Sequence, residues 1–105
     1  MTTDPTTTSA EPEHDAAGHR FVVRHAEGES VLSYRLPRPG VIDLAHTLVH
    51  HSQRGRGTGE ALLRAALDFA RGEELGVVPT CPYVRRWLDA HPDERAELCV
   101  EPGKP

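Results

Sequence analysis

The sequence predicts a small α/β domain: an antiparallel three-strand meander, followed by a helix, a parallel strand and a second helix. Three observations support this prediction. Short runs of β-branched and aromatic residues fill residues 20–50 between turn-forming segments. Apolar residues then recur with the 3.6-residue period of a helix in residues 57–71. A short apolar run follows, and a strand, helix, strand passage implies a parallel pair with a right-handed crossover.

The meander is predicted from three β-rich runs with glycine- and proline-containing turns between them. Its strands are expected at residues 20–25, 30–36 and 41–50. In the third strand, strict alternation places one set of side chains on a single face, namely Ile42, Leu44, His46 and Leu48. The imidazole of His46 is therefore expected to lie among apolar neighbours.

The first helix is predicted from a single apolar stripe with charged residues on its solvent side. The stripe consists of Leu62, Leu63, Ala66, Phe69 and Ala70. Residues 77–80 are expected to form the parallel strand. Pro82 suits the first position of a second helix, which should end before Pro92. Residues 97–100 are expected to add an edge strand.

Composition limits the domain organisation of the chain. At 105 residues it holds one domain at most. Residues 1–18 are rich in threonine, proline and acidic residues and contain little to bury, so we expect a disordered N-terminal tail. The folded domain is expected at residues 19–100, with a short C-terminal tail at residues 101–105.

Charge and hydropathy exclude several classes of function. The formal net charge of −4 argues against a protein that binds nucleic acid. No apolar run approaches the ~20 residues needed to cross a bilayer, so no membrane role is expected. Because the first residues contain no apolar signal-peptide segment, the chain is expected to be cytoplasmic, with Cys81 and Cys99 as free thiols.

The string R-G-R-G-T-G at residues 54–59 connects the third strand to the first helix. Backbone amides at such a junction bind anions, because the first amides of a helix have no partner within it. A Walker loop would need lysine and Ser/Thr after its last glycine, but Glu60 and Ala61 follow here. The glycine spacing also differs from the G-x-G-x-x-G of dinucleotide folds. R-G-R-G strings also occur in disordered RNA-binding segments, but here a strand and a helix enclose the string.

Read as R-x-x-G-x-G, residues 54–59 resemble the acyl-coenzyme A loop of the GNAT acetyltransferase superfamily. The H-T-L-V of residues 46–49 and the C-P-Y-V of residues 81–84 are similar to the H-T-x-V and C-P-[YF]-V elements of its small single-domain members. The similarity covers roughly residues 19–98. This group often has glutamate where the chain has Leu48, so a role of that carboxylate does not carry over.

The resemblance implies a minimal GNAT-like fold, acetyl-CoA as donor and a primary amine as acceptor. In that fold the strands before the loop and after the helix splay apart, and pantetheine enters between them. The resemblance implies that these residues bind the cofactor: Leu48, Val49, Arg54, Gly55, Arg56, Gly57, Thr58, Gly59 and Arg86. The pair Arg85 and Arg86 could meet the 3′-phosphate of coenzyme A, although a solvated helix face explains the pair equally well.

Three side chains are candidates for catalysis. Cys81 would lie at a helix N-terminus, where the helix dipole favours a nucleophilic thiolate. His46 could act as a base toward that thiol or toward the acceptor amine. Tyr83 could protonate the departing coenzyme A thiolate. Each also has an ordinary structural interpretation as a buried small residue, a packed histidine or a core aromatic.

No metal centre is predicted. On one strand, His46 and His50 would lie about 13 Å apart at ~3.3 Å per residue, too far for one ion. His91, Cys81 and Cys99 lack the spacing of zinc ligands.

The alternative function is a non-catalytic module that binds coenzyme A or a protein partner. The chain lacks the long acceptor-side segment of larger acetyltransferases, and Leu48 replaces a possible base.

Overall fold

The structure is a computed structural model that describes residues 11–100. Its elements are β1 (Glu13–Asp15), β2 (Arg20–His25), β3 (Gly28–Arg38), β4 (Val41–Leu48), a 3₁₀ turn (His51–Gln53), α1 (Thr58–Gly72), β5 (Gly76–Val78), α2 (Pro82–Ala90) and α3 (Pro92–Ala96). The strands form one sheet in the order β1-β2-β3-β4-β5. All neighbours are antiparallel except β4 and β5. The predicted α/β order of meander, helix, parallel strand and helix is confirmed.

The strand β1 lies in the segment that composition predicted to be a disordered tail. It pairs with β2, and the His14 ring stacks on Phe21 with centroids 4.3 Å apart. His14 Nε2 also lies 2.6 Å from Tyr34 Oη, and Asp15 accepts a hydrogen bond from Arg20 at 2.9 Å. The tail prediction is therefore wrong for these residues, because ring packing and an ion pair order a polar segment. Residues 1–10 and 101–105 lie outside the described residues.

The core lies between the sheet and α1. The apolar stripe of α1 is buried as predicted, except that Phe69 is only partly buried and Leu67 belongs to the stripe. From α2, Val84, Trp87 and Leu88 join the same core. Burying a side chain of this size contributes about 1.5–3 kcal/mol, so these contacts hold both helices on the sheet. No described helix is long and apolar enough to cross a bilayer.

A β-bulge interrupts β4 just before the predicted site. Ser33 pairs with His46, whereas the next residue of β3, Tyr34, pairs with Leu44. Ala45 is therefore an extra residue on β4. Because side chains alternate along a strand, one extra residue reverses the faces of everything that follows.

The reversal corrects the predicted surroundings of His46. Beyond the bulge, Thr47 and Val49 face α1, where Thr47 pairs with the buried Leu32. His46 and Leu48 point to the opposite side and are exposed. The prediction that His46 lies among apolar neighbours is wrong, since strict alternation does not allow for a bulge.

The strand β5 pairs along its whole length, but only with the first three residues of β4. Their register runs from Val41 opposite Gly76 to Asp43 opposite Val78. Beyond this, the Cys81 amide donates to the Leu44 carbonyl at 2.9 Å, and β4 continues to Leu48. Within residues 11–100, no strand pairs with that final part of β4 on the β5 side. The predicted edge strand after α3 forms only one bridge, between Val77 and Val100.

Candidate functional site

A groove of about 600 Å³ opens where the end of β4 meets the start of α1. Its size falls in the range of small-molecule sites, about 300–1,000 Å³. It is lined by Thr47, Leu48, Val49, Gln53, Arg54, Gly55, Gly57, Thr58, Gly59, Glu60, Tyr83 and Arg86. Most of these residues were predicted from the sequence as site residues, but Thr47, Gln53 and Glu60 were not. Conversely, three residues that were predicted at the site do not line the groove, namely Arg56, His46 and Cys81.

The loop before α1 requires glycine at two positions. Gly55 has φ 79° and Gly57 has φ 81°, both in the left-handed region. A side chain at either position would meet no atom within 4 Å, so the requirement comes from the backbone and not from space. Gly57 is also the N-cap of α1 and supplies no side chain to cap the helix. This local sequence therefore leaves the helix terminus uncapped and next to the groove.

The amides at the start of α1 form an anion-binding terminus. The amide of Ala61 is the first to bond within the helix, to the Gly57 carbonyl at 2.9 Å. The three preceding amides, of residues 58–60, have no acceptor inside the helix. Thr58 and Gly59 line the groove, so the positive end of the helix dipole lies at the groove. Such a terminus binds phosphate groups.

Arginines add positive charge to the same region. Arg54 and Arg86 line the groove, Arg56 lies on the loop, and all three are exposed. In the described part of the chain none of these three forms an ion pair with a carboxylate. Other arginines do form such pairs: Arg20, Arg24, Arg35, Arg64, Arg71 and Arg95. Uncompensated cations therefore concentrate at the groove, where they suit a polyanion.

Gly59 allows α1 to approach β4 and α2 closely. A Cβ at this position would lie 3.3 Å from Val49 Cγ2 and 3.4 Å from the hydroxyl oxygen of Tyr83. Tyr83 is half-buried at this contact. Burial raises the pKa of Tyr83, and nearby Glu60 and Cys81 raise it further. At neutral pH this phenol is therefore protonated and able to donate a hydrogen bond into the groove.

Cys81 occupies the predicted position at the start of a helix, as the N-cap of α2. Its side chain is only 4% exposed and belongs to the core. The thiol donates to Thr47, with Sγ 3.5 Å from Oγ1. Thr47 in turn lines the groove, so Cys81 lies directly behind a groove residue.

The predicted pairing of His46 with Cys81 is not formed. The bulge turns His46 to the face of the sheet opposite α1, whereas Cys81 packs on the α1 side. Among the described residues, the thiol has Thr47 as its hydrogen-bond partner instead. A threonine at this position was visible in the sequence, but only the bulge reveals that it faces inward.

No cluster of three or more potential metal ligands exists among residues 11–100. The groove itself presents backbone amides, arginines and a protonated phenol. Groups of this kind suit a phosphorylated ligand.

Comparison with known proteins identifies the family. Residues 20–98 match the family model of the GCN5-related N-acetyl-transferase. The chain is 37% identical over 82 residues to Protein NATD1 of Gallus gallus, which covers 76% of this chain and 74% of that protein. Protein NATD1 of Homo sapiens gives the same identity, with 76% and 73% covered. Protein NATD1 of Xenopus tropicalis is 35% identical over 91 residues, with 85% and 83% covered.

A solved structure shows the same fold. A GCN5-like protein from Staphylococcus aureus, determined by NMR, superimposes with a TM-score of 0.71 at 20% sequence identity. The alignment covers 93% of this chain and 94% of that chain. The α/β fold of the chain thus has a solved counterpart. Together with the match over residues 20–98, these findings show that the chain belongs to the GCN5-related N-acetyltransferase family.

Proposed function

We propose that this protein transfers an acetyl group from acetyl-CoA to a primary amine. The observation that carries the proposal is the groove itself. It combines an uncapped helix N-terminus, unpaired arginines and the open end of β4 within about 600 Å³. These are the features that a long ligand with a pyrophosphate at one end and a thioester at the other requires.

The donor fits the groove in one direction. The pyrophosphate would bind the amides at the start of α1 and the loop of Gly55 and Gly57, with Arg54 and Arg56 as counter-ions. Arg86, on the α2 side of the groove, is available to the 3′-phosphate. The pantetheine arm would then pair with the backbone of Leu48 and Val49, on the β5 side of β4, where no strand among residues 11–100 pairs with it. This direction brings the thioester to the gap between β4 and β5.

The reaction needs an amine without its proton and an acid for the leaving thiolate. The amine nitrogen attacks the acetyl carbonyl carbon, the amide bond forms, and the carbon–sulfur bond breaks. Tyr83, which is protonated at neutral pH, would donate its proton to the departing sulfur. His46 lies on the face opposite α1, where an acceptor could approach the gap, and is proposed to take the amine proton there.

We propose direct transfer and not a covalent route through Cys81. Cys81 is almost fully buried, and its thiol is held by Thr47. A nucleophilic role would require the sulfur to leave the core. Its proposed role is to support Thr47 in the groove. The two cysteines are unpaired, which suits the reducing cytoplasm that we propose as the site of action.

One observation favours a second candidate, a non-catalytic module that binds coenzyme A. Leu48 is 59% exposed on the face that an acceptor would approach, where the resemblance leads one to expect glutamate. If His46 does not act as a base, the end of β4 offers only the apolar Leu48 on that face. The protein would then bind the donor without transferring its acetyl group.

The two candidates are separated by mass spectrometry of a panel of primary amines incubated with acetyl-CoA and the protein. Transfer predicts an acetylated amine that depends on the protein and on Gly59, so Gly59→Asp serves as the binding-deficient control. If acetyl-CoA binds but no amine in the panel gains an acetyl group above the control, the binding module replaces the enzyme.

A further inference from the structure

A chain of hydrogen bonds connects the buried part of β3 to the groove. The backbone amide of His50 donates to the buried Ser30 Oγ at 2.9 Å. The His50 ring contacts Ser52. Ser52 Oγ in turn accepts a hydrogen bond from the side-chain Nε2 of Gln53 at 3.4 Å. Thr58 then donates to Gln53 Oε1 at 3.3 Å. Gln53 and Thr58 both line the groove, so His50 is connected to the groove through its neighbours.

One of these contacts depends on the protonation state of His50. The backbone amide of Ser52 donates to His50 Nδ1 at 3.1 Å and so caps the 3₁₀ turn. A nitrogen that accepts a hydrogen bond from an amide cannot carry a proton of its own. When Nδ1 accepts in this cap, the ring is neutral with its proton on Nε2; Nδ1 also lies 3.0 Å from Ser52 Oγ. Protonation of Nδ1 would direct a second hydrogen at the Ser52 amide and remove the cap.

The His50 ring is enclosed by groups from three segments. The ring of His51 stacks on it with centroids 4.3 Å apart, and the ring of His25 from β2 meets it edge-on at 5.2 Å. Glu27 of the β2–β3 hairpin faces His25 at 3.8 Å. A Cβ at Gly28 would lie 2.9 Å from His50 Cδ2, so the hairpin also limits the ring. A positive charge on His50 would therefore face two further titratable rings at short distance.

We propose that His50 is the positioning residue of the glycine loop and that it works only as a neutral imidazole, so that acid weakens acetyl-CoA binding. The inference rests on the proposed function, because it assumes that the loop binds the pyrophosphate. Neutral His50 holds the turn that begins the loop, and that turn places Gln53 and Thr58 at the groove. Once the ring is protonated, the loop loses this support and must be ordered by the ligand itself.

The test is the dissociation constant of acetyl-CoA, measured by calorimetry at about pH 8 and about pH 5.5. For wild type we expect affinity to fall about fivefold or more at the lower pH, the effect of losing a capping interaction. His50→Ala should bind weakly at both pH values. His50→Asn, whose side-chain oxygen can accept from the residue-52 amide but does not titrate, should restore most of the affinity and remove the pH effect.

The matched control is His51→Asn, which removes the exposed neighbouring imidazole and should retain the pH effect of wild type. Titration of the ligand's own phosphate affects all variants equally. If His50→Asn loses affinity in acid as wild type does, the proposal is overturned. If wild type does not bind at either pH, the proposed function fails instead. In that case the inference about His50 is still tested by the ¹⁵N chemical shifts of its ring in the wild-type protein. These shifts should show an unprotonated Nδ1 at neutral pH, and a protonated Nδ1 contradicts the inference.

Discussion

Cys81 donates its hydrogen bond to Thr47, with Sγ 3.5 Å from Oγ1, and the neighbouring His46 points to the other face of the sheet. The two residues that resemblance associates with chemistry are therefore separated by the sheet. The thiol contacts a groove residue from behind, and the imidazole is exposed on the other face. This division of roles leads to the first two predictions.

Cys81 is not expected to carry the acetyl group. Cys81→Ala should retain acetyl transfer within about threefold, because the buried thiol contributes packing and one weak hydrogen bond. Alkylation should label the exposed Cys99 well before Cys81. A hydroxylamine-sensitive acetyl group on Cys81 that forms and decays during turnover, found by peptide mass spectrometry, would refute direct transfer.

His46 is expected to serve the acceptor side alone. His46→Ala should lower kcat by about 10² to 10⁴, the usual contribution of a positioned base, and leave the dissociation constant of acetyl-CoA unchanged. Since Leu48 lies on the same face two residues away, Leu48→Glu in the His46→Ala background should restore part of the rate. Steady-state kinetics and calorimetry check both values. Full activity in His46→Ala would remove the histidine from the mechanism.

Tyr83 should give the rate a defined dependence on alkaline pH. Burial raises its pKa above the ordinary tyrosine value, so the phenol is protonated throughout the neutral range, and its acid contribution is lost only as pH rises through that raised pKa. Tyr83→Phe should lower kcat by about 10- to 100-fold near neutral pH and abolish this alkaline decline. A pH–rate profile that is identical in the two proteins shows that Tyr83 donates no proton.

Gly59 should be sensitive to a single methyl group. In Gly59→Ala the new carbon would contact Val49 and Tyr83 at 3.3–3.4 Å, so the start of α1 must shift away from β4. We expect a stability loss of about 1–3 kcal/mol and weaker acetyl-CoA binding. Gly72→Ala is the matched control in the same helix, because its added Cβ meets nothing within 4 Å. Thermal unfolding and calorimetry should find that control at least as stable as wild type, with normal binding. Equal behaviour of the two variants contradicts the close approach.

Much of the fold could be predicted from local patterns. The apolar stripe of α1 and the proline at the start of α2 depend on neighbours in sequence, and these predictions were confirmed. The ordered β1 was missed because its stability comes from Phe21 and Tyr34, which composition does not connect to His14. Pairing between distant segments is not encoded in the local pattern.

The candidate site shows the same limit. The glycine loop was predicted to belong to the binding site. Its glycines, which tolerate positive φ angles, and its place before a helix can both be read from the local sequence. The bulge at Ala45 was not predicted, because it arises from the register between β3 and β4. That one residue decides that Thr47, and not His46, meets Cys81. Gln53 was missed because it carries no motif and acts through its bond to Thr58.

The most direct test of the central claim is an NMR titration of the ¹⁵N-labelled protein with acetyl-CoA. The account predicts that amide shifts concentrate at residues 47–49 and 53–60, with further changes at Tyr83 and Arg86, and that Arg54→Glu combined with Arg86→Glu suppresses them. A second groove, lined by residues 36–41 and the end of α1, provides an internal comparison. Shifts confined to that second groove, or a spectrum unchanged at millimolar acetyl-CoA, would contradict the account.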